Sequence, residues 1–200
     1  IKAWESQVSS VVGGDGAIYA LRRELFLPLQ DSDVSDLLLP LQAVTRGYRG
    51  VFEPQAVCYE YAAQTFRGQF WRKTRIISRS LRTVFQCRQA LNVFRVGIFA
   101  YQLFAHKLLR WFSPLFLSAT VGASLFLAAG SNTFYQVVLA VEVVMALAAI
   151  LYVFPSLRRY RAVYLPYYFF LINAAACTAI LSLAGGWSFA TWTPDRNQHQ

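Results

Sequence analysis

Residues Phe134–Phe154 read FYQVVLAVEVVMALAAILYVF, a run of 21 residues broken by the single charge of Glu142. Such a run meets the roughly 20 apolar residues needed to cross a hydrocarbon layer about 30 Å thick. Two further runs flank it, Phe112 to Ala129 and Tyr164 to Ala184. The first is joined to the second by the uncharged turn Gly130-Ser131-Asn132-Thr133. Basic residues precede the first run, and Arg158, Arg159 and Arg161 follow the second. Positive charge gathers on the cytoplasmic side of membrane helices, so these two ends are cytoplasmic and the short first loop lies outside. Pro166 and Asn173 interrupt the third run, which reads as a full span or as a re-entrant hairpin. Two spans leave the tail cytoplasmic and three put it outside.

Outward from these runs the composition changes. The 200 residues are 56% hydrophobic and 14% charged, and most of the charge lies before residue 111. The net charge of +9 would suit nucleic acid, but its placement argues against that partner. Between Arg67 and Arg110 ten Arg and Lys residues occur with no Asp or Glu among them, and the block ends where the first apolar run begins. A basic collar at that position is drawn to anionic lipid headgroups. Cys58, Cys87 and Cys177 form no C-x-x-C pair and are expected as free thiols. His106 and His199 are too few and too far apart to suggest zinc.

Three regions follow: 1–65, 66–110 and 111–200. In the first, the expectation is half of an α/β domain. Ala17-Ile18-Tyr19-Ala20-Leu21 suits a buried strand, as do Gly50-Val51-Phe52-Glu53 and Ala56-Val57-Cys58-Tyr59-Glu60-Tyr61, with Pro54 between them. A helix is expected within Asp31 to Thr45, capped by Asp33 or Ser35 and stopped by Gly47. In the second region, helical spacing places Arg72, Arg75, Arg79 and Arg82 on one face and Ile77, Leu81, Val84 and Leu91 on the other. That pattern predicts a basic amphipathic helix lying on the membrane, bending or ending near Gln86; its alternative is a solvated basic face over a protein core. Within the membrane region Glu142 is a costly charge that either lines a path for a polar substrate or is protonated and bonded to Asn173. Trp187, Trp192, Tyr164, Tyr167 and Tyr168 read as interfacial anchors. Alternatively, Trp192-Thr193-Pro194-Asp195-Arg196 would return to the active site if the tail is cytoplasmic.

Several short motifs occur in a particular order. They are Gly16-Ala17-Ile18-Tyr19-Ala20-Leu21-Arg22-Arg23, then Ser35-Asp36-Leu37-Leu38-Leu39-Pro40-Leu41, then Gly47-Tyr48-Arg49, Glu53-Pro54 and Ala56. Arg72-Lys73-Thr74-Arg75 and His106-Lys107-Leu108-Leu109-Arg110-Trp111 follow. From about Gly13 to Trp111 this order resembles the acceptor side of membrane-bound family 2 glycosyltransferases, the group of the cellulose, chitin and hyaluronan synthases. The resemblance implies the C-terminal half of a GT-A-type α/β domain, then interfacial helices and two to three transmembrane helices. It also implies that the uridine-binding aspartate and metal-binding D-x-D lie before this segment, so the chain reads as a C-terminal fragment, inactive alone.

By the same resemblance Asp36 stands at the position of the catalytic base, with Ser35 replacing an acidic partner. Arg72 stands at the Gln and Arg75 at the Arg of a Q-x-x-R-W motif whose Trp is here Ile76, and Arg72, Lys73 and Arg75 would face the diphosphate and acceptor. Their alternative role is contact with lipid headgroups. Without the Trp, a flat surface for stacking an acceptor sugar is missing, which weakens the case for a long processive channel. One reading of Gly13, Gly14 and Gly16 is a phosphate cradle, for which G-G-x-G is a weak pattern; a tight turn that lets an acceptor approach the backbone near Gly16 and Ala17 fits better, with Asp15 a turn residue. The implied reaction is inverting transfer from a nucleotide sugar to a polysaccharide acceptor at the cytoplasmic face of the cell membrane, in a multi-pass protein. A divalent cation, Mg or Mn, is implied with ligands outside the chain. The alternatives are transfer to a lipid carrier, or a non-catalytic membrane subunit or transporter half.

Overall fold

The computed structural model describes residues 1–30, 33–59, 65–130 and 132–186. Among them the chain is helical with no strand. The helices are α1 (Lys2–Val8), α2 (Ser35–Thr45), α3 (Phe66–Gln86), α4 (Val93–Val96), α5 (Ile98–Leu103), α6 (Leu109–Trp111), α7 (Ser113–Ala128), α8 (Thr133–Leu151) and α9 (Arg161–Ala184). A π-helical turn, Phe104–Leu108, joins α5 to α6.

The expected α/β half-domain is therefore not formed, and the missing ladder partners explain why. A strand needs a neighbour to take its N–H and C=O groups. Here Ala17 N–H is taken by Asp15 Oδ1 at 3.3 Å and Gly14 N–H by the Asp36 carbonyl at 2.7 Å. Ile18 and Tyr19, expected inside a sheet, are exposed. Residues 50–52 run beside residues 6–11 without becoming a strand: Val11 N–H reaches the Gly50 carbonyl, and Phe52 N–H goes to Ser6 Oγ. Pro54 and Gln55 form a turn, and residues 56–59 are exposed irregular chain; Glu60 and Tyr61 lie outside the described residues.

The helix expected within 31–45 forms as α2. Its N-cap is Val34, and neither Asp33 nor Ser35 caps it. Asp33 Oδ2 instead accepts from Gln30 N–H at 2.8 Å, and Ser35 is the first helical residue. Gly47 follows the helix with φ of +87°, a conformation that a Cβ makes costly, so the stop is a backbone requirement.

Helix α3 ends at Gln86, and Arg88 and Leu91 fall in a 3₁₀ turn, Arg88–Leu91. The apolar stripe of α3 is used against protein. Ile77, Leu81 and Val84 share one core with Leu37 and Leu41 of α2, Phe99 and Leu103 of α5, Trp111 of α6, and Ala176 and Ala179 of α9. The pairing of α3 with α9 is the most extensive in the fold. The two helices run in the same sense, since Phe66 at the start of α3 packs on Tyr164, Tyr167 and Tyr168 near the start of α9. These tyrosines therefore belong to an aromatic cluster with Phe66 and Tyr152. Trp187, Trp192 and the tail to Arg196 lie outside the described residues.

Two helices, α8 and α9, are long and apolar enough to cross a membrane. Helix α7 is shorter, and the helical rod Ile98–Trp111 meets it at 61°. Helix α9 is continuous through Pro166 and Asn173, so a re-entrant hairpin is not present. Asn173 is held by Ser113, whose hydroxyl donates to Asn173 Oδ1 at 2.8 Å, tying the start of α7 to the middle of α9.

Glu142 is not bonded to Asn173. Its Oε2 accepts from the Ser124 hydroxyl at 2.6 Å, joining α8 to the nearly fully buried Ser124 of α7. Ser124→Ala is expected to lower the stability of the detergent-solubilised protein by about 0.6–1.7 kcal/mol, the range for interhelical bonds in membranes. Glu142→Gln, which keeps an acceptor, is expected to lose less. Thermal unfolding of both variants checks this, and equal losses would contradict it.

Candidate functional site

Asp36 lies in the first turn of α2, half-buried, where the positive end of the helix dipole favours a carboxylate. The loop Gly13-Gly14-Asp15-Gly16 packs directly on it. A Cβ built at Gly16 would stand 3.3 Å from Asp36 Oδ2, and one built at Gly13 or Gly14 would stand 3.3 Å from the Asp36 carbonyl. Bare backbone thus borders the carboxylate, and the sequence reading of a close-approach turn names residues that meet Asp36 in space. Asp15 acts within this turn: it accepts from Ala17 N–H and pairs with Lys2 at 3.2 Å, and both contacts hold its carboxyl below the usual range. Ala17 is exposed beside the turn.

The cations expected at the diphosphate lie on α3. Arg72 neighbours both Lys73 and Arg75: burial and then Arg72 and Arg110 push the Lys73 ammonium down, and burial and then Arg79 and Arg72 push Arg75 down. Arg79 donates to the Asp33 carbonyl at 2.7 Å, which ties this basic face to the chain entering α2. The link from the α3 cations to Asp36 runs through residues not assigned a role from sequence. Arg110 acts on both Lys73 and Lys107, and Lys107 is acted on by Asp36. Each cation in the series Arg79, Arg75, Arg72, Lys73, Arg110 and Lys107 is within electrostatic reach of the next, and the last is within reach of Asp36, an arc of charge in that sense.

Behind the arc sits a second constellation that sequence reading missed. Glu5 of α1 is buried at 6% exposure. Its Oε2 accepts from Val12 N–H at 3.2 Å and its Oε1 meets His106 Nδ1. Gln102 donates to the Glu5 carbonyl at 3.3 Å. No motif announces Glu5, because the contact spans 101 positions of sequence. His106 and Lys107 had a signal: both lie four residues beyond buried side chains, Gln102 and Leu103, on the same helical face.

Among the described residues no three His, Cys, Asp or Glu side chains gather where they could hold a metal ion, so the implied Mg or Mn finds no ligand set there. Apart from the charged arc, a groove of about 480 Å³ opens between α3 and α9, lined by Phe66, Arg67, Phe70, Tyr167, Phe170, Leu171 and Ala174.

No family model matches the chain, and comparison with curated proteins and with solved structures finds no match.

Proposed function

We propose that this chain carries the acceptor-side half of a membrane-bound, inverting sugar-transfer reaction, with Asp36 as the base that takes the proton of the acceptor hydroxyl. The observation that carries the reading is the junction at Asp36: a half-buried carboxylate, bordered by glycine backbone, at the end of an arc of cations. Transfer from a nucleotide sugar needs both parts. The base strengthens the acceptor as a nucleophile, and fixed positive charge offsets the charge growing on the departing diphosphate. Arg72, Lys73 and Arg75 supply that charge, with guanidinium forks suited to paired bonds with phosphate oxygens. Gly16 and Ala17 leave room for the acceptor.

In this reading the basic face of α3 is cytoplasmic and the apolar helices anchor the site at the inner surface of the cell membrane. The donor's nucleoside and any divalent cation are held outside the described residues. The deciding experiment is Asp36→Asn in the full-length protein with transfer from a nucleotide sugar as the readout. A large loss is expected, and unchanged transfer rejects the reading in favour of a structural membrane subunit or transporter half.

One observation favours a lipid carrier as the acceptor. The groove between α3 and α9 is apolar except for Arg67 and lies along a helix apolar enough to be in the bilayer. That chemistry matches a hydrocarbon tail with an anionic head. Ala174→Trp fills the groove. With this acceptor the variant loses transfer to an isoprenyl phosphate about tenfold or more, a cost of at least 1.4 kcal/mol, and keeps transfer to a soluble oligosaccharide. Equal effects on the two acceptors would remove the lipid reading.

A further inference from the structure

We propose that Lys107 forms an anion site facing Asp36, shaped to hold a phosphoryl group. The identification of that group as part of a nucleoside diphosphate rests on the sugar-transfer reading; the site itself rests on geometry.

Lys107 lies on the π-helical turn Phe104–Leu108. Such turns insert one residue into a helix and recur at functional sites. Lys107 shares this turn with buried Leu108 and lies between Leu103 and Trp111, which are 0% and 4% exposed, and is itself half-buried. The ammonium consequently leaves a core-facing side of the helix and lies over the glycine turn. A Cβ built at Gly13 would stand 3.9 Å from Lys107 Nζ and 3.3 Å from the Asp36 carbonyl. Gly14 N–H holds that same carbonyl, so the lysine, the turn and the start of α2 meet at one point.

The cation lacks a counter-ion there. Among the described residues no carboxylate comes within ion-pair distance of Lys107 Nζ, and no hydrogen bond reaches it. The groups that face it are Arg110, Asp36, Lys2 and Glu5. Glu5 is already engaged by Val12 N–H and His106. Burial first, and then Arg110, push the ammonium below the ordinary lysine range. A half-buried ammonium beside two other cations is an unfavourable arrangement that an incoming anion relieves. A phosphoryl group fits because its oxygens can meet Lys107 and Arg110 together while the bare glycines admit it. Lys107 would also stand between that anion and the Asp36 carboxylate, screening two negative charges that must be present at once.

The chain has three lysines, Lys2, Lys73 and Lys107, which makes the site open to chemical mapping. Full-length protein in detergent is treated with pyridoxal 5′-phosphate, reduced with borohydride and analysed by peptide mass spectrometry. Lys107 is expected to label several-fold faster than Lys2, since the reagent's phosphate is drawn to the site and burial leaves more of this ammonium as free amine. Inorganic pyrophosphate is expected to protect it, and pyridoxal without the phosphate to label it several-fold more slowly. Labelling no faster than at Lys2, no protection by pyrophosphate, or equal labelling by pyridoxal would each overturn the anion site. The readout needs no turnover. A labelled and protected Lys107 in a protein whose Asp36→Asn variant retains transfer keeps the site and discards the sugar-transfer reading. An unlabelled Lys107 in a protein that loses transfer on Asp36→Asn does the reverse.

Discussion

Replacing Asp36 by Asn in the full-length protein is expected to lower sugar transfer by about 10²–10⁴-fold, the range for removing a positioned general base. The amide has the size of the carboxylate and can still accept a hydrogen bond, but it cannot take a proton. The loss is expected in kcat with little change in KM, as for an interaction made in the transition state. A structural role would act differently. Asp36 is half-buried in the first turn of α2, where losing its charge costs about 0.3–1 kcal/mol of helix-dipole interaction. Thermal unfolding of the same preparation separates the two, because a drop in activity without a large drop in stability identifies chemistry. Full activity in a stably folded variant would remove the base and, with it, the proposed reaction.

The second large effect is expected at Phe99. Its side chain is fully buried at 0% exposure, in the core shared by α2, α3, α5 and α9. Phe99→Ala leaves a cavity where those helices meet, at a cost of about 3–5 kcal/mol. Because this core joins the charged body carrying Asp36 to α9, the loss should appear in both places: a lowered unfolding midpoint, and proteolytic opening of α2 and α3. Phe94, five residues earlier, is fully exposed, and Phe94→Ala is expected to stay within about 0.5 kcal/mol of the parent protein in detergent. Similar destabilisation by the two substitutions would show that the core does not bind the parts of the molecule as described.

How much of this was legible beforehand depended on how local the physics was. The stop of α2 at Gly47, the end of α3 near Gln86 and the length of α8 each follow from a few neighbouring residues, and each could be read from them. The segment Ala17-Ile18-Tyr19-Ala20-Leu21 could not. Its composition suits a strand, yet a strand exists only if another segment lies alongside to take its hydrogen bonds, and here Asp15 and exposure to solvent take that place. The apolar stripe of α3 was found correctly as a stripe. Whether it met lipid or protein depended on α9, about a hundred residues away, whose small Ala176 and Ala179 allow close packing.

The candidate site divides along the same line. Asp36 and the glycine turn are separated by some twenty residues, and the order of motifs was enough to bring them under one hypothesis. Glu5 carries no motif, and the motif holding His106 and Lys107 marks only the approach to the membrane, since the burial of Glu5 and the missing counter-ion of Lys107 exist only after α1 and the π-helical turn have been brought together. By itself the sequence determined the stop of α2, the end of α3 and the membrane-length helices α8 and α9, because each is set by residues near in sequence. Tertiary structure alone decided that no sheet forms, that α3 packs on protein, and that a lysine stands beside Asp36, because all three depend on contacts between distant segments.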